Sequence, residues 1–519
     1  MKRKLLSGFI MLFLVSLLNN CAISNQKIIE ADILIKSGLV YSGYNNRPEM
    51  FDIAICRDII CFVGKDSSSV TAKKIIDAKG LIVTPGFIDP HTHALPELMS
   101  KDKNQNLNYL TQGVTTVIIG NDGGGSSNIS LLRKQLSSNG IGTNVGLLVG
   151  HGFVRKQVMG LTNAEANLKQ IKQMKASVAK AMEEGALGFS SGLYYVPGRY
   201  ANTSEVIELA KVAAKYGGIY ESHLRDEGTF NIGYLEALKE LITIAKEAKI
   251  NGHVAHIKAL GVDVWGQSKQ AIKLIEQARK NGLKITADQY PWQASGTYLR
   301  NAVIPSWVMA DSNDSFMERL TNQQLLPKIL LETKENIRRR GGADALLITG
   351  SDNEAWLGNT LQKIASENFL KPEQMVIDMV LQEKIRVASF NMSQEDIDNF
   401  MVQDWVVSSS DGTNRHPRKF ASFPNKYKQY VERRKLLTLQ SFIYKSSAKT
   451  AEIFNIKKRG VIKYSNYADI NIIDIKNYQP KANFSNWNKL STGVVYQFIN
   501  GKMTMSNGTY SGKLAGSVL

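Results

Sequence analysis

The stretch Ile82-Val83-Thr84-Pro85-Gly86-Phe87-Ile88-Asp89-Pro90-His91-Thr92-His93 is a short β-branched run that ends in a carboxylate and two imidazoles. Seven more runs of this texture follow: Val114–Asn121, Val145–Gly150, Ala186–Ser191, Gly218–His223, His253–Lys258, Lys284–Tyr290 and Trp405–Asp411. Between them lie amphipathic stretches at helical spacing, such as Asn167–Glu184, Ser204–Tyr216, Tyr234–Lys249 and Ser268–Asn281. Strands alternating with helices are the pattern of βα units on a parallel sheet, and eight of them predict an α/β fold with a (β/α)8 TIM barrel over residues 85–458. The connection after the seventh run, 292–404, is far longer than an ordinary βα loop. It is expected to hold extra helices over the barrel mouth.

Outside the barrel the texture changes to short apolar runs broken by turn residues. Residues 27–84 carry several at hairpin spacing, and the pattern returns in 459–519, for example at Ala468–Asp474 and Gly493–Gly501. A small β-sandwich domain built from both chain ends is therefore predicted. Cys56 and Cys61 fall in one of the hairpins. With three cysteines in all this is no disulfide scaffold, although an exported location would allow one bridge.

The 519 residues are 43% hydrophobic and 21% charged, ordinary globular usage that excludes a disordered, collagen-like or polytopic membrane chain. The net charge of +18 is spread over scattered clusters, Arg338–Arg340, Arg433–Lys435 and Lys457–Arg459. Scattered clusters read as solvated surface, so no nucleic-acid partner is expected. Lys2, Arg3 and Lys4 precede an apolar run from Leu5 to Leu18, too short to span a bilayer and suited to a signal peptide over 1–21. The segment Leu18-Asn19-Asn20-Cys21-Ala22 resembles a bacterial lipobox, with Asn20 where a smaller residue is usual. Export to the periplasm or cell envelope is expected, with membrane attachment only through a lipidated Cys21.

Active sites of such barrels form at the C-terminal strand ends. Here those ends are Asp89-Pro90-His91-Thr92-His93, Asn121-Asp122-Gly123, Glu221-Ser222-His223, His256-Ile257-Lys258 and Ser410-Asp411-Gly412. Of seven histidines, four stand at three such ends. Two histidines one residue apart on extended backbone point the same way, so His91 and His93 can grip one ion. Imidazoles with carboxylates suit zinc or a similar divalent metal. His253, earlier on its strand, reads as structural; His151 suits either a substrate-facing or a loop-stabilising role.

Pro85–His93 resembles the signature of the amidohydrolase superfamily. Within it, Ser191–Gly198, Ser222–Glu227, His256–Lys258, Asp288–Pro291, Ser410–Gly412 and His416-Pro417-Arg418 resemble the N-acyl-D-amino-acid deacylases, over nearly everything after residue 30. The resemblance implies metal ligands at His91, His93, His223, His256 and Asp411, one or two zinc or other divalent ions, and hydrolysis of the amide of N-acyl-D-amino acids. Where that family typically carries cysteine after strand two, this chain has Asp122, a harder ligand that would shift metal preference. The fourth run ends in Ser190-Ser191 and offers no lysine, which weighs against hydantoinase-like and dihydroorotase-like relatives that use a carbamylated one.

Asp411 is the candidate general base and acid, taking a proton from the attacking water and returning it to the departing amine. For the substrate's carboxylate the resemblance implies Lys258, Tyr290 and Arg418, with Tyr195 lining the site. Arg300 is a candidate contact to an acidic side chain. The alternatives are another amidohydrolase, such as a β-aspartyl dipeptidase or cyclic-amide hydrolase, and a non-catalytic envelope binding lipoprotein.

Overall fold

The computed structural model describes residues 28–519, so the expected signal peptide and Cys21 lie outside the described residues. Eight parallel strands carry the barrel: β1 (Phe87–Asp89), β2 (Val114–Ile119), β3 (Asn144–Gly150), β4 (Gly188–Gly192), β5 (Ile219–His223), β6 (Asn251–Val254), β7 (Ile285–Gln289) and β8 (Val406–Ser408). Each pairs with its predecessor in chain order. The ring closes by side-chain and loop contacts. Asp89 Oδ1 accepts from the Ser410 amide at 3.1 Å, and the Asp411 amide donates to the His91 carbonyl at 3.0 Å. The strands are short and buried on both faces, as parallel strands under helices must be. Helices Leu168–Glu183, Thr203–Lys215, Tyr234–Ala248 and Ser268–Lys280 stand where the periodicity placed them. The first is started by a capping box between Asn167 and Gln170.

One predicted run divides between two sheets. Ile82–Pro85 leaves the barrel and joins the sheet of the chain ends, while Phe87–Asp89 alone enters the barrel. Gly86 is the break, and a Cβ there would lie 2.1 Å from the Thr115 hydroxyl oxygen, so only glycine lets the chain pass strand β2 so closely.

The two chain ends do build one β domain. Ile470–Ile473 lies antiparallel between Ile82–Pro85 and Val494–Ile499. Their strands hydrogen-bond into one continuous nine-stranded sheet. The twelve-residue strand Ile29–Val40 causes this: it pairs with Val70–Asp77 over its first part and with Ile82–Val83 from Leu39 onward. A register shift between Ile35 and Gly38 bends it. Ile35, Ile53, Ile55, Ile60, Ile470 and Ile472 fill the core on one face. Cys56 and Cys61 are bridged across the hairpin of strands Glu49–Cys56 and Ile59–Gly64, their Cα atoms 5.7 Å apart.

The long insertion carries the expected helices, among them Asn313–Thr321, Leu326–Arg339 and Pro372–Gln382, and also a three-stranded antiparallel sheet. Its order is Ala294–Tyr298, Arg386–Phe390, Leu346–Gly350. The insertion has its own apolar core, with Leu299, Val303, Ile329, Ile348 and Val376 buried together. It is thus a packed layer, and its first sheet strand follows directly from the end of β7.

Candidate metal centre and active site

The strand ends converge as the sequence reading requires. His91 and His93 leave β1 with their rings 5.7 Å apart, and Thr92 between them turns back to donate its hydroxyl to the Ile118 carbonyl of β2 at 2.7 Å. Asn121 clamps this turn by donating to the Pro90 carbonyl at 2.9 Å. Asp122 follows in a left-handed conformation with φ +55°, and its carboxylate stands between three imidazoles. It is 3.4 Å from His91 Nε2, His93 Nε2 and His256 Nε2 alike. Asp411 approaches from beyond β8, 3.3 Å from His93 Nε2 and 3.8 Å from His91 Nε2. His223 meets His256 edge to face with ring centres 4.6 Å apart.

Two donor groups result. His91, His93, Asp122 and Asp411 form one, and His223, Glu227 and His256 the other. Asp122 belongs to the first and touches the second. The chemistry of the set fits a divalent metal: neutral imidazole nitrogens and carboxylates are zinc ligands. A second observation agrees. His91 Nε2 and Asp122 Oδ1 are buried without a hydrogen-bond partner, a cost that an ion between them would remove.

Among the outer ring nitrogens, that of His223 is held as a ligand histidine needs. His223 Nδ1 lies 2.9 Å from the Leu224 carbonyl, and His91 Nδ1 lies 3.2 Å from Glu221 Oε1. His256 Nδ1 faces both the Lys258 ammonium at 2.6 Å and Glu227 Oε1 at 3.1 Å. His253 stays out of the cluster, bonding Thr286 and Asp288, and Asp288 in turn accepts the His256 amide. That is the structural role expected for it. His151 is buried against Glu205 and Arg155, the loop-stabilising one of its two expected roles.

The cluster opens into a cavity of about 630 Å³ lined by His93, Asp122, Tyr195, His223, Lys258 and Asp411, and by the insertion through Ser295–Tyr298, Asn301 and Arg386. The expected substrate groups fall at different distances from it. Tyr195 lines it, its ring 4.7 Å from that of His223. Lys258 lines it too, but its ammonium is engaged with Glu227 at 2.5 Å. Arg418 and Tyr290 are stacked on one another just behind, ring centre to guanidinium 4.7 Å. There Arg418 holds Asp411 Oδ2 at 2.7 Å. Burial alone would raise the Asp411 carboxyl; the Arg418 guanidinium and then His256 hold it well below the usual carboxylate range. Arg300 stands apart from these. It does not line this cavity but a neighbouring one, because the backbone turns into helix Leu299–Val303 directly after strand Ala294–Tyr298.

Residues 82–504 match the model of the amidohydrolase family. The chain belongs to that family. Among amidohydrolases it is 26% identical to a D-aminoacylase of Alcaligenes xylosoxydans xylosoxydans, over 94% of this chain and 97% of the relative. It is 28% identical to an N-acyl-D-glutamate deacylase of the same organism, over 91% and 93%. The crystal structure of an N-acyl-D-glutamate deacylase from Bordetella bronchiseptica, complexed with zinc and a phosphonate inhibitor that mimics the tetrahedral intermediate, superposes with a TM-score of 0.79. That pair shares 25% identity, covering 94% of this amidohydrolase and 99% of the other.

Three site residues escaped the sequence reading. Glu221 stands two residues before His223 on the same strand, and that parity places it beside His91 inside the barrel. Glu227 lies in a loop four residues past His223, with no periodic signal to mark it. Arg386 belongs to the inserted sheet, whose pairing with Ala294–Tyr298 brings residue 386 opposite Tyr298 from 88 positions away. Arg386 and Arg340 are the cavity cations with no carboxylate within 4.0 Å among the described residues, and burial lowers the pKa of Arg386.

Proposed function

We propose that this amidohydrolase cleaves the amide bond of N-acyl-D-amino acids, giving a carboxylate and a free D-amino acid, with zinc as its metal. The observation that carries the reading is the cluster of His91, His93, Asp122, His223, His256 and Asp411 at the barrel mouth, open to a cavity that holds an unpaired guanidinium. The preference for D-amino acids is supported by the D-aminoacylase and deacylase relatives.

His91, His93, Asp122, His223, His256 and Asp411 are the residues that would hold zinc, one ion or two. Bound there, zinc supplies Lewis acidity that polarises the amide carbonyl and lowers the pKa of water. Asp411 accepts the proton of the attacking water and hands it to the amine nitrogen, since an amide nitrogen leaves only when protonated. Lys258 and Arg386 face the cavity and attract the substrate's α-carboxylate; Arg386 can offer two parallel donors because no protein carboxylate occupies it. Arg418 and Tyr290 support from behind, where the Arg418 charge orients Asp411. Tyr195 closes the side next to His223.

The N-terminal run of Lys2 to Leu18 and the segment around Cys21 support export to the periplasm or envelope, with lipid attachment at Cys21. Fractionation of expressing cells checks this part: mature protein in the cytoplasm would remove it. The activity is tested with zinc-loaded protein on N-acyl-D-amino acids, N-acyl-L-amino acids, dihydrouracil and isoaspartyl dipeptides. Turnover of the D-compounds is expected; turnover confined to the others would overturn the reading.

A further inference from the structure

A second cavity, of about 870 Å³, lies beside the one that holds the cluster. Tyr194, Tyr195, Phe230 and Asn301 line both, so they are the wall between them. The wall stands against the metal ligands: the Tyr194 ring is stacked on that of His223 at 5.6 Å, and its hydroxyl donates to the Asn301 carbonyl at 2.9 Å. Three of its four members are loop side chains, and Asn301 comes from the short helix Leu299–Val303.

The two halves of an amide extend from opposite sides of its carbonyl carbon. The cations suited to the amino acid's carboxylate, Lys258 and Arg386, come from the loop after β6 and from the insertion that follows β7. Three members of the wall come from the loops after β4 and β5, and Asn301 from the insertion. With the amine half seated on Lys258 and Arg386, the wall side, backed by the second cavity, is left to the acyl half. An acetyl group has no use for this space, which is within the range that holds a drug-sized ligand.

The lining of the second cavity is mixed. Val196, Ile304, Met309 and Phe316 supply apolar surface. Lys156, Arg199, Arg300 and Arg339 supply positive charge against Glu332 and Glu335. Both glutamates are already engaged, Glu332 by the Trp307 indole at 2.8 Å and Glu335 by Arg338 at 2.8 Å. Arg300 has no carboxylate within 4.0 Å among the described residues, and its Nε is buried with no hydrogen-bond partner.

Resting on the deacylase reading of the neighbouring site, we propose that this second cavity receives the acyl half of the substrate, and that this half is an extended chain ending in a carboxylate, contacted by Arg300. The substrate class is then the amide of a D-amino acid with a long dicarboxylic or similarly acidic acyl group.

The test compares kcat/KM for N-acetyl-, N-octanoyl- and N-suberyl-D-methionine, the last a chain of octanoyl length with a terminal carboxylate. In the zinc-loaded wild type, the suberyl compound is expected to exceed both others at least tenfold. In Arg300→Met, and in Met309→Trp, which fills the cavity, the suberyl-to-acetyl ratio is expected to fall at least tenfold. A ratio is used because misfolding lowers both rates together. A wild type that prefers the acetyl compound, or a ratio unmoved in both variants, overturns the proposal. Calorimetric titration of suberic acid into wild type and Arg300→Met reads the second cavity without turnover. At least tenfold weaker binding in the variant is expected, and equal or undetectable binding in both overturns the proposal even if no amide is hydrolysed. Hydrolysis of none of the three amides, with suberic acid still bound through Arg300, would refute the deacylase reading alone.

Discussion

Replacing Asp411 by asparagine keeps its size and removes its charge, and the structure sets two separate magnitudes for the result. The first is stability. Asp411 and Arg418 form an ion pair at 2.7 Å with both side chains buried, and Arg418 Nη1 has no other partner. Removing one member of such a pair leaves a buried uncompensated charge, worth about 3–5 kcal/mol. For a chain of 519 residues the unfolding entropy is roughly 1.1 kcal/mol per degree, from about 2.1 cal/mol/K per residue, so Tm is expected to drop by about 3–5 °C. The measurement is calorimetry on chelator-treated protein, so that a change in metal affinity does not add to the loss. In the double variant Asp411→Asn, Arg418→Met the charge is gone from both sides, and the loss is expected to be smaller than the sum of the single losses by more than about 1 kcal/mol. The second magnitude is catalytic: a positioned general base contributes about 100- to 10,000-fold, and kcat is expected to fall by that much in zinc-loaded Asp411→Asn. A kcat within threefold of wild type would refute the assigned base. Additive Tm losses in the double variant would refute the claim that Arg418 depends on Asp411.

Asp122→Asn removes the carboxylate placed between three imidazoles, and zinc affinity in a competition titration is expected to fall by about 100-fold or more; an unchanged affinity would exclude Asp122 as a ligand. Glu221→Gln leaves the ligand set whole but weakens the hold on His91 Nδ1, so the same titration should show a loss of about 10- to 100-fold, and an unaltered value would make Glu221 a mere filler of the barrel. Arg386→Met removes a charge-assisted contact of about 1.5–3 kcal/mol, and KM for the N-acyl-D-amino acid should rise about 10- to 100-fold with kcat much less affected. A fall in kcat at constant KM would instead place Arg386 in the chemical step.

The barrel was legible because its signal is local. Strand ends such as Glu221-Ser222-His223 and Ser410-Asp411-Gly412 carry period-two polarity next to buried runs, so a reading of single segments finds both the element and the group it presents. Most of the metal cluster was legible for the same reason, since all its members but Glu227 stand at or just past a strand end. The cavity wall was not. Arg386 and Arg300 both lie in the insertion, and which of them faces the cluster depends on the antiparallel pairing of Ala294–Tyr298 with Arg386–Phe390, a contact between segments far apart in the chain. Arg300 was read by its nearness to β7, yet one residue past the strand the backbone becomes helical and carries the side chain to the other cavity. The continuous sheet of the chain ends was hidden likewise, because period-two patterns mark strands and leave open whether one long strand joins two layers.

Three members of the cluster share a backbone property that no side-chain pattern could announce. Asp122, His256 and Asp411 have φ values of +55°, +35° and +45°, in or near the left-handed region that most residues avoid. Such positions cost on the order of 1–3 kcal/mol each and persist only where the surroundings fix them. Here they are fixed by contacts that do not use the donor atoms. The His256 amide is bonded to Asp288, the Asp411 amide to the His91 carbonyl, and Asp122 is followed by Gly123, where a Cβ would lie 2.9 Å from the Gly192 amide nitrogen. Each sharp turn brings a ligand atom off the end of a strand and back over the barrel axis, which a strand continuing straight would overshoot. The fold therefore fixes these donors by backbone contacts of its own. The strain belongs to the function, and it is borne by the hydrogen bonds of Asp288, His91 and the β4 turn.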